Sequence, residues 1–376
     1  MKILAVNKTD ISNKYWYGGA EVRVMYLLRE WKRLGHKVIL ISSNFPKALK
    51  RELLWEVPVY RYGFPLYRNI FAPFSIDKAI IKNLRVFKPD VVYLASMPFP
   101  PIFSHCFKPL RSISKELKDV KVVAHIAHLP NYSAAEDILH YSLLKLNEIL
   151  TKTISCDVIT TVSYATYSKI KKFFSQEIFI TGNGVDTKIF KPLDIETVPH
   201  SVFSWGMLCK RKNFETLIKA FKLVKDEFFD ARLLIAGEGP NKAKLIKLIK
   251  RMGLSRSVKL LGRITDQQLV KKINQAEVIV FPSLLEGFGL PIIESMACRK
   301  PVIASDIEAS RELITNGNNG VLVSPKNEKA IAEAIIKVFE DKKLANRIAY
   351  NGFLFSHKFS WDKVAIKELQ ALESSL

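Results

Sequence analysis

The chain has 376 residues, with 58 Lys or Arg against 36 Asp or Glu, so its formal net charge is +22 at pH 7. This length exceeds the roughly 250–300 residues at which a single hydrophobic core usually stops growing, and it predicts two domains. The longest apolar run, residues 91–103, contains three prolines and is shorter than the roughly 20 residues of a membrane-spanning helix, so no span is expected.

The excess of basic residues favours anionic partners, which include nucleic acid, the anionic face of a bilayer and acidic substrates. It is spread over both halves of the chain without an arginine-rich arm or a recognition module, so no specific nucleic acid partner is expected. A plain contribution to solubility is the alternative explanation. We favour peripheral attachment to anionic lipid, because it would bring the protein to a membrane-bound partner.

The cysteines and the first residues indicate the compartment. The four cysteines are far apart and form no Cys-x-x-Cys pair, so neither a disulfide framework nor a zinc site is expected. Residues 1–7 are too short in their apolar part for a signal peptide. We therefore expect a cytoplasmic protein that can attach peripherally to the inner face of the membrane.

In the first half, short runs rich in Val and Ile alternate with segments of helical periodicity. The predicted strands are residues 2–6, 37–42, 90–95, 121–127 and 157–162. Such alternation is typical of a parallel sheet with helices on both faces. Residues 1–182 are therefore predicted to form a Rossmann-like domain.

The turn after the first predicted strand carries Gly18 and Gly19, followed by Ala20, Glu21 and a predicted helix. Paired glycines let the backbone come close to a ligand at the carboxyl ends of the strands, where open α/β sheets bind. The pattern Gly-x-Gly-x-x-Gly is absent, so dinucleotide binding is not supported. A purely structural glycine pair is the alternative.

Two histidines, His125 and His128, lie on or just beyond the fourth predicted strand. A histidine at a strand end is often a packed core residue. His128 ends the strand on the side expected to face a cleft, so we favour His128 over His125 as the functional residue.

The second half repeats the alternation, and residues 201–357 are predicted to form a second Rossmann-like domain. Between the halves, two glycines around Asn183 suit a turn with positive backbone dihedrals. The Pro-bearing stretch of low periodicity that follows is typical of a linker, which we assign to residues 183–200. Residues 358–376 are predicted to contain the last helix.

A basic loop follows the first strand of the second domain. Lys210, Arg211 and Lys212 lie there just before a predicted helix. Cations near a helix N-terminus can neutralise a leaving diphosphate without a metal. A solvated basic turn is the alternative.

The predicted strand at residues 278–281 runs into a glycine-containing loop and then into a helix predicted to begin at Pro291. The backbone amides of such a turn favour a phosphate or sugar hydroxyls. Glu286, predicted to close the strand, and Glu294, predicted in the first helical turn, flank these amides. Two carboxylates beside an amide-lined cup suit a ligand rich in hydroxyls, so this segment is predicted to be a sugar-nucleotide site.

Together these motifs resemble the retaining glycosyltransferases of family 4, also called glycosyltransferase group 1. The resemblance runs from Gly18 to Trp361 and rests on the segments Gly18-Gly19-Ala20-Glu21, Gly35-His36-x-Val38, Asn183-Gly184-Val185-Asp186, Lys212 and the Glu286/Glu294 pair. It implies the α/β fold called GT-B, in which two Rossmann-like, doubly wound domains face one another across a cleft. The acceptor side would be the first domain, the nucleotide sugar would bind mainly to the second, and the last helix would cross back to the first.

The resemblance also implies a reaction, the transfer of a hexosyl group from a nucleotide sugar to an acceptor hydroxyl with retention of configuration. The donor would be a UDP-, GDP- or ADP-sugar, and the acceptor a lipid-linked or other glycan. The implied catalytic residues are Lys212, Glu286 and His128. The implied donor-binding residues are Gly18, Gly19, Lys210, Arg211, Gly237, Arg263, Ile264, Gly287, Phe288, Gly289, Leu290 and Glu294. No cofactor is implied, because the nucleotide sugar is a substrate. The absence of Asp-x-Asp gives no support for a metal, so metal-independent transfer is expected.

The chain departs from the family pattern at Met207, where an arginine is common. Either Lys210 or Arg211 compensates, or the contact with phosphate is thinner than usual. Two other classes stay open at this point. They are a nucleotide-sugar epimerase of the GT-B fold and, less favoured, a non-catalytic protein that binds polyanions.

Overall fold

A computed structural model of the chain describes residues 1–7, 12, 18–62, 80, 82–95, 120–127 and 156–374. The chain divides into two compact units, which are residues Met1–Gly184 with Trp361–Leu376, and residues Val185–Ser360. Within the described ranges, no helix is long and apolar enough to cross a membrane.

The elements are numbered in chain order over the described residues. The strands are β1 (Lys2–Asn7), β2 (Lys37–Ser43), β3 (Arg51–Leu54), β4 (Val57–Tyr62), β5 (Val91–Leu94), β6 (Lys121–Ile126), β7 (Val158–Thr161), β8 (Glu177–Ile180), β9 (Ser201–Trp205), β10 (Arg232–Ala236), β11 (Val258–Gly262), β12 (Val278–Phe281), β13 (Val302–Ser305) and β14 (Val321–Val323). The helices are α1 (Gly19–Arg33), α2 (Tyr164–Ile170), α3 (Phe214–Glu227), α4 (Lys242–Arg251), α5 (Asp266–Gln275), α6 (Leu290–Ala297), α7 (Glu308–Leu313), α8 (Glu328–Glu340), α9 (Lys342–Ser356) and α10 (Trp361–Glu373).

The first unit is built on a sheet with the strand order β3-β4-β2-β1-β5-β6-β7-β8. Neighbouring strands are parallel except for the antiparallel edge pair of β3 and β4. The five predicted strands of this half are present, each with ends within one residue of the prediction. Every residue of β5, β6 and β7 is buried, as expected for parallel strands covered on both faces.

Helix α10 is an integral part of the first unit, because it packs against α1. The rings of Tyr26 and Trp361 stack with centroids 4.8 Å apart, and Trp31 Nε1 donates to the carbonyl oxygen of Ala365 at 3.3 Å. A third contact at this interface is an ion pair, in which Arg23 Nη2 lies 2.5 Å from Glu368 Oε2.

The Arg23–Glu368 pair is enclosed by further hydrogen bonds. Arg23 donates to the carbonyl oxygen of Gly182, to Thr181 Oγ1 at 2.8 Å and to Asn183 Oδ1 at 3.0 Å. Glu368 accepts a hydrogen bond from Thr160 Oγ1 at 2.5 Å. The network therefore joins α1, α10, β7 and the segment that follows β8.

The second unit has a parallel sheet with the strand order β11-β10-β9-β12-β13-β14. Its strands alternate with helices along the chain, and the apolar faces of α3, α4 and α8 pack with β9, β10 and β12 into one buried cluster. Together the two parallel α/β units confirm the predicted fold class, two Rossmann-like doubly wound domains.

Candidate functional site

The second sheet reverses its strand order between β9 and β12. From β9 the chain proceeds through β10 to β11 at one edge, and from β12 it proceeds through β13 to β14 at the other. In open parallel sheets, ligands bind beyond the carboxyl ends of the strands at such a reversal. The basic loop at residues 206–213 follows β9, and the loop at residues 282–289 follows β12, so both begin at the reversal.

Backbone and side-chain hydrogen bonds hold these two loops together. The N–H of Leu284 donates to the carbonyl oxygen of Arg211 at 2.8 Å. Asn213 Nδ2 donates to the carbonyl oxygens of Pro282 at 3.0 Å and Pro325 at 2.7 Å. Asn213 has φ +55°, in the left-handed region that asparagine tolerates better than most residues. It therefore positions the end of the basic loop against the end of β12.

At the reversal, Glu286 binds two cations. Lys212 Nζ lies 2.6 Å from Glu286 Oε1, and Arg211 Nη1 lies 2.8 Å from Glu286 Oε2. The same Arg211 nitrogen donates to the carbonyl oxygen of Leu285 at 2.8 Å. With one carboxylate between two cations, the cluster of Arg211, Lys212 and Glu286 keeps a net charge of +1.

The carboxylate of Glu286 is ionised despite its burial. Burial opposes ionisation, but the charges of Lys212 and Arg211 outweigh it, and Ser283 adds a side-chain hydrogen bond, so the pKa of Glu286 falls to about 2. In turn, the charge of Glu286 raises the pKa of Arg211. Glu286 and Arg211 are therefore both charged near neutral pH.

Two glycines let Lys212 reach this position. Gly206 has φ +143°, and a Cβ placed on it would lie 3.1 Å from Lys212 Cε. Gly237 has φ +139°, and a Cβ there would lie 1.9 Å from the carbonyl oxygen of Gly206. Packing at the ends of β9 and β10 therefore explains glycine at 237 without a ligand.

The end of β12 and the start of α6 differ from the prediction, so both glutamates have different positions relative to these elements. Strand β12 ends at Phe281, because Pro282 has no N–H to continue the ladder, so Glu286 lies in the loop and does not close the strand. Helix α6 begins at Leu290, so Glu294 lies in its second turn. The extra loop length brings Glu286 to Lys212.

Glu294 is the second carboxylate of the segment. Burial, with the charge of Asp266, raises its pKa to about 8, although Lys212 opposes the rise. Within the residues that the structure describes, the carboxyl group of Glu294 has no hydrogen bond or ion pair, and the residue is partly exposed. A partly exposed carboxyl group without a partner can still accept or donate a hydrogen bond to a ligand.

Between Glu286 and Glu294, the backbone rather than the apolar side chains is suited to contact a ligand. Phe288 and Leu290 are buried, and the Phe288 ring packs edge-on against Phe359 with centroids 5.9 Å apart. Gly289 precedes α6 with φ +103°, a value that favours glycine. The first amides of a helix have no acceptor within it, but Pro291 has no N–H and the N–H of Ile292 donates to the carbonyl oxygen of Gly289 at 2.9 Å. The N–H of Leu290 is therefore the amide at the start of α6 that can bind an anion or a hydroxyl.

Other predicted donor-binding residues lie apart from the cluster. Arg263 and Ile264 follow β11, two strands from β9, and Arg263 is exposed. Lys210 is exposed in the basic loop, and the exposed Met207 makes no described contact with the cluster. The structure brings Arg211 and Lys212 together at Glu286.

Gly18 and Gly19 lie in the first unit, at the start of α1. The N–H of Gly18 donates to Glu21 Oε2 at 2.9 Å. Gly18 has φ −150°, which any residue adopts, and a Cβ there would meet only Glu21 Oε2, at 3.4 Å, among the described residues. His128, the predicted catalytic histidine, lies outside the described residues.

The alternative histidine, His125, is a buried member of the Arg23–Glu368 network. Its Nδ1 lies 2.9 Å from Thr160 Oγ1. Burial, with the charge of Arg23, lowers its pKa well below the ordinary value, so it is neutral. This environment is that of a packed core histidine.

The sequence did not identify Asn213 and Ser283 as residues that position the site. Both position the cluster, Asn213 through two carbonyl oxygens and Ser283 through Glu286. An asparagine between a basic loop and a helix was the available signal, because asparagine is favoured in left-handed conformations.

Comparisons with known proteins agree with this architecture. A family model described as Glycosyltransferase Family 4 matches residues 17–189, and one described as Glycosyl transferases group 1 matches residues 185–355. An uncharacterized glycosyltransferase of Methanocaldococcus jannaschii is 26% identical over 348 residues, which are 93% of this chain and 92% of that protein. A Campylobacter jejuni enzyme named N-acetylgalactosamine-N,N'-diacetylbacillosaminyl-diphospho-undecaprenol 4-alpha-N-acetylgalactosaminyltransferase is 36% identical over 174 residues, 46% of each protein.

The comparison with solved structures shows the fold. The structure of Anabaena HepE in complex with UDP-glucose is 18% identical, has a TM-score of 0.77 and is matched over 100% of both chains. This likeness shows the fold, which is GT-B, the two-domain architecture of many glycosyltransferases. With both family models matched in sequence, the chain belongs to the family 4, group 1 glycosyltransferases, which confirms the predicted family. It is an enzyme that transfers a sugar.

Proposed function

We propose that this glycosyltransferase moves a hexosyl group from a nucleotide sugar to an acceptor hydroxyl with retention of configuration. One observation carries the donor assignment. Arg211 and Lys212 meet Glu286 at the strand-order reversal of the second sheet, a position where a phosphate-bearing ligand is expected. The complex of HepE with UDP-glucose supports a nucleotide sugar as the donor.

Each group in the site has a distinct part in this proposal. Lys212 and Arg211 neutralise the charge that develops on the leaving diphosphate, which is the kind of electrostatic stabilisation that contributes most to many enzymes. Glu286 accepts hydrogen bonds from the hydroxyls of the transferred sugar. Glu294 binds the ribose, and the N–H of Leu290 at the start of α6 binds the sugar or phosphate. These roles also follow the family resemblance at the same residues.

The remaining residues keep the roles that the family resemblance implies. Gly18 and Gly19 are proposed to bind the diphosphate and the acceptor, and His128 is proposed to act on the transferred sugar. The backbone at Arg263 and Ile264 meets the base. Transfer is proposed to be independent of metal, because the two cations supply the charge that a metal would otherwise supply.

We further propose that the acceptor is a lipid-linked glycan and that the enzyme works at the cytoplasmic face of the membrane. The name of the Campylobacter jejuni relative includes diphospho-undecaprenol, which supports a lipid-linked acceptor. The net charge of +22 supports attraction to an anionic bilayer. Sedimentation with vesicles that contain anionic lipid, at low and high salt, tests the membrane part, and failure to pellet at low salt contradicts it.

Thermal unfolding in the presence of nucleotides tests the donor assignment. UDP, GDP and ADP, each with its glucose derivative, are added in turn to the full chain. The correct donor should raise the unfolding temperature, since a ligand at 100 times its Kd contributes about 2.7 kcal/mol. No stabilisation by any of the six compounds contradicts the proposal. With the donor known, release of nucleotide only when acceptor is added separates transfer from epimerisation.

A further inference from the structure

The site contains an anion of its own, the carboxylate of Glu286. Lys212 and Arg211 both hydrogen-bond it, at 2.6 Å and 2.8 Å, with side chains that are 11% and 30% exposed. The cations proposed to bind the diphosphate are therefore already paired with a group of the chain itself. A ligand has to share them with Glu286 or displace it.

Nucleoside diphosphate alone is poorly matched to this arrangement. Lys212 has three donors and Arg211 has five, so both can extend a further hydrogen bond to phosphate. The carboxylate remains beside them, however, and its negative charge repels the phosphate within a poorly hydrated site. The bare nucleotide lacks the transferred sugar, so no hydroxyl of that sugar can donate to Glu286 when the hydrogen bonds of Glu286 to the cations weaken.

An intact nucleotide sugar differs because its sugar carries hydroxyl donors. In the proposed function these hydroxyls donate to Glu286, and they replace any hydrogen bond that Lys212 or Arg211 transfers from the carboxylate to the phosphate. This replacement ends when the sugar has been transferred, because the product has no hydroxyls at that position. Donor and product therefore meet the same two cations with a different balance of charge.

We propose that Glu286 acts as an internal competitor for Lys212 and Arg211, which weakens binding of the nucleoside diphosphate product more than binding of the donor and so promotes product release. The inference rests on the proposed function, since it requires a nucleotide sugar in this site. It assigns Glu286 a role in selectivity for donor over product, separate from its contact with the sugar. The carboxylate stays ionised at neutral pH, as the competition requires.

Titration calorimetry with Glu286→Gln tests the proposal. Gln keeps the shape of the side chain but removes the charge. Kd is measured at one fixed ionic strength for the best-binding nucleotide among UDP, GDP and ADP, and for its glucose derivative. We expect the variant to bind the nucleoside diphosphate about tenfold more tightly, the factor that corresponds to one charge-assisted hydrogen bond. The preference for donor over product should fall, and product inhibition should become stronger.

The matched control is Glu328→Gln, which removes a carboxylate of the same unit that pairs with Lys219 at 2.7 Å on the surface. It should leave both Kd values unchanged. Glu286→Asp retains the charge but shortens its reach, so it should give an intermediate Kd for the nucleoside diphosphate. This variant also provides a readout if Glu286→Gln does not fold.

The outcomes separate the inference from the proposed function. The inference alone is overturned if the wild-type protein binds the donor but Glu286→Gln binds the nucleoside diphosphate no more tightly than the wild type does. A wild-type protein that binds none of the six compounds overturns the proposed function and the inference with it.

Discussion

Each unit contains a carboxylate paired with an arginine, and the two pairs differ in what surrounds them. Glu368 and Arg23 in the first unit are 0% and 2% exposed, and groups of the same unit make further hydrogen bonds with both of them. Glu286 and Arg211 in the second unit are 14% and 30% exposed, and lie in the two loops that follow β12 and β9. An arginine–carboxylate pair thus stabilises packing in the first unit, whereas a pair of the same kind in the second unit leaves N–H donors available for a ligand.

The comparison also shows how charge is balanced in each case. The Arg23–Glu368 pair is neutral, so the buried network needs no further ion. The cluster around Glu286 has two cations for one carboxylate and keeps a net charge of +1. An excess of positive charge in a partly open position attracts an anion, whereas a neutral enclosed pair does not.

The largest effect is expected from breaking the enclosed pair. Glu368→Gln leaves Arg23 buried without a counter-ion, which should cost about 3–5 kcal/mol of unfolding free energy. Glu286→Gln should lower the unfolding free energy by less, because water can solvate the side chains of Arg211 and Lys212 once the carboxylate is removed. Urea unfolding of both variants, with Glu328→Gln as the exposed control expected to cost below about 1 kcal/mol, measures the difference. Equal losses for Glu368→Gln and Glu286→Gln would refute the distinction.

Removing a cation from the open cluster should affect turnover instead. Lys212→Ala takes away a charge that stabilises the leaving diphosphate, so we expect kcat to fall by about 100- to 1,000-fold, as when one such donor is removed from an enzyme. The fold should remain, which circular dichroism and thermal unfolding can verify. Lys222→Ala, which removes an exposed lysine of α3 that pairs with Asp226, is the matched control. Near-normal kcat in Lys212→Ala would exclude Lys212 from the mechanism.

A smaller effect is expected on the pH dependence of the unfolding free energy, and it arises from His125 in the enclosed Arg23–Glu368 network. Its pKa is lowered in the folded protein, whereas an unfolded histidine titrates near 6.5. As pH falls below about 6.5, the unfolded chain takes up a proton that the folded one does not, so unfolding free energy should decrease by up to about 1.4 kcal/mol per pH unit. His125→Asn should show a shallower slope between pH 5 and 6.5. Identical slopes in urea unfolding would contradict this account.

Periodicity and turn residues were enough to predict much of the fold. Buried runs such as β6 and β12 gave strands in the right places. β3, β4 and β8 were missed. β3 and β8 have four residues each and are at most partly buried, and β4 contains Pro58, which argues against a strand. Four residues give little periodic signal.

Residues of the cluster were singled out one by one from the sequence, but their arrangement was not, and their roles stay predictions. Lys212 and Glu286 were each singled out, yet their ion pair joins residues 74 apart in sequence. Arg23 and Glu368 are 345 apart and were not singled out at all. Such contacts depend on which strands become neighbours, and local patterns do not encode that.

The position of α10 has a consequence for how the protein is made. The second unit is one continuous segment, whereas the first needs Trp361–Leu376 in addition to Met1–Gly184. Since domains tend to fold as they emerge during synthesis, the later-encoded unit can finish first, and the earlier one waits until residues 361–376 have been made. Until Glu368 leaves the ribosome, Arg23 has no counter-ion, so a fragment that stops at Gly184 should be a poor choice for expression.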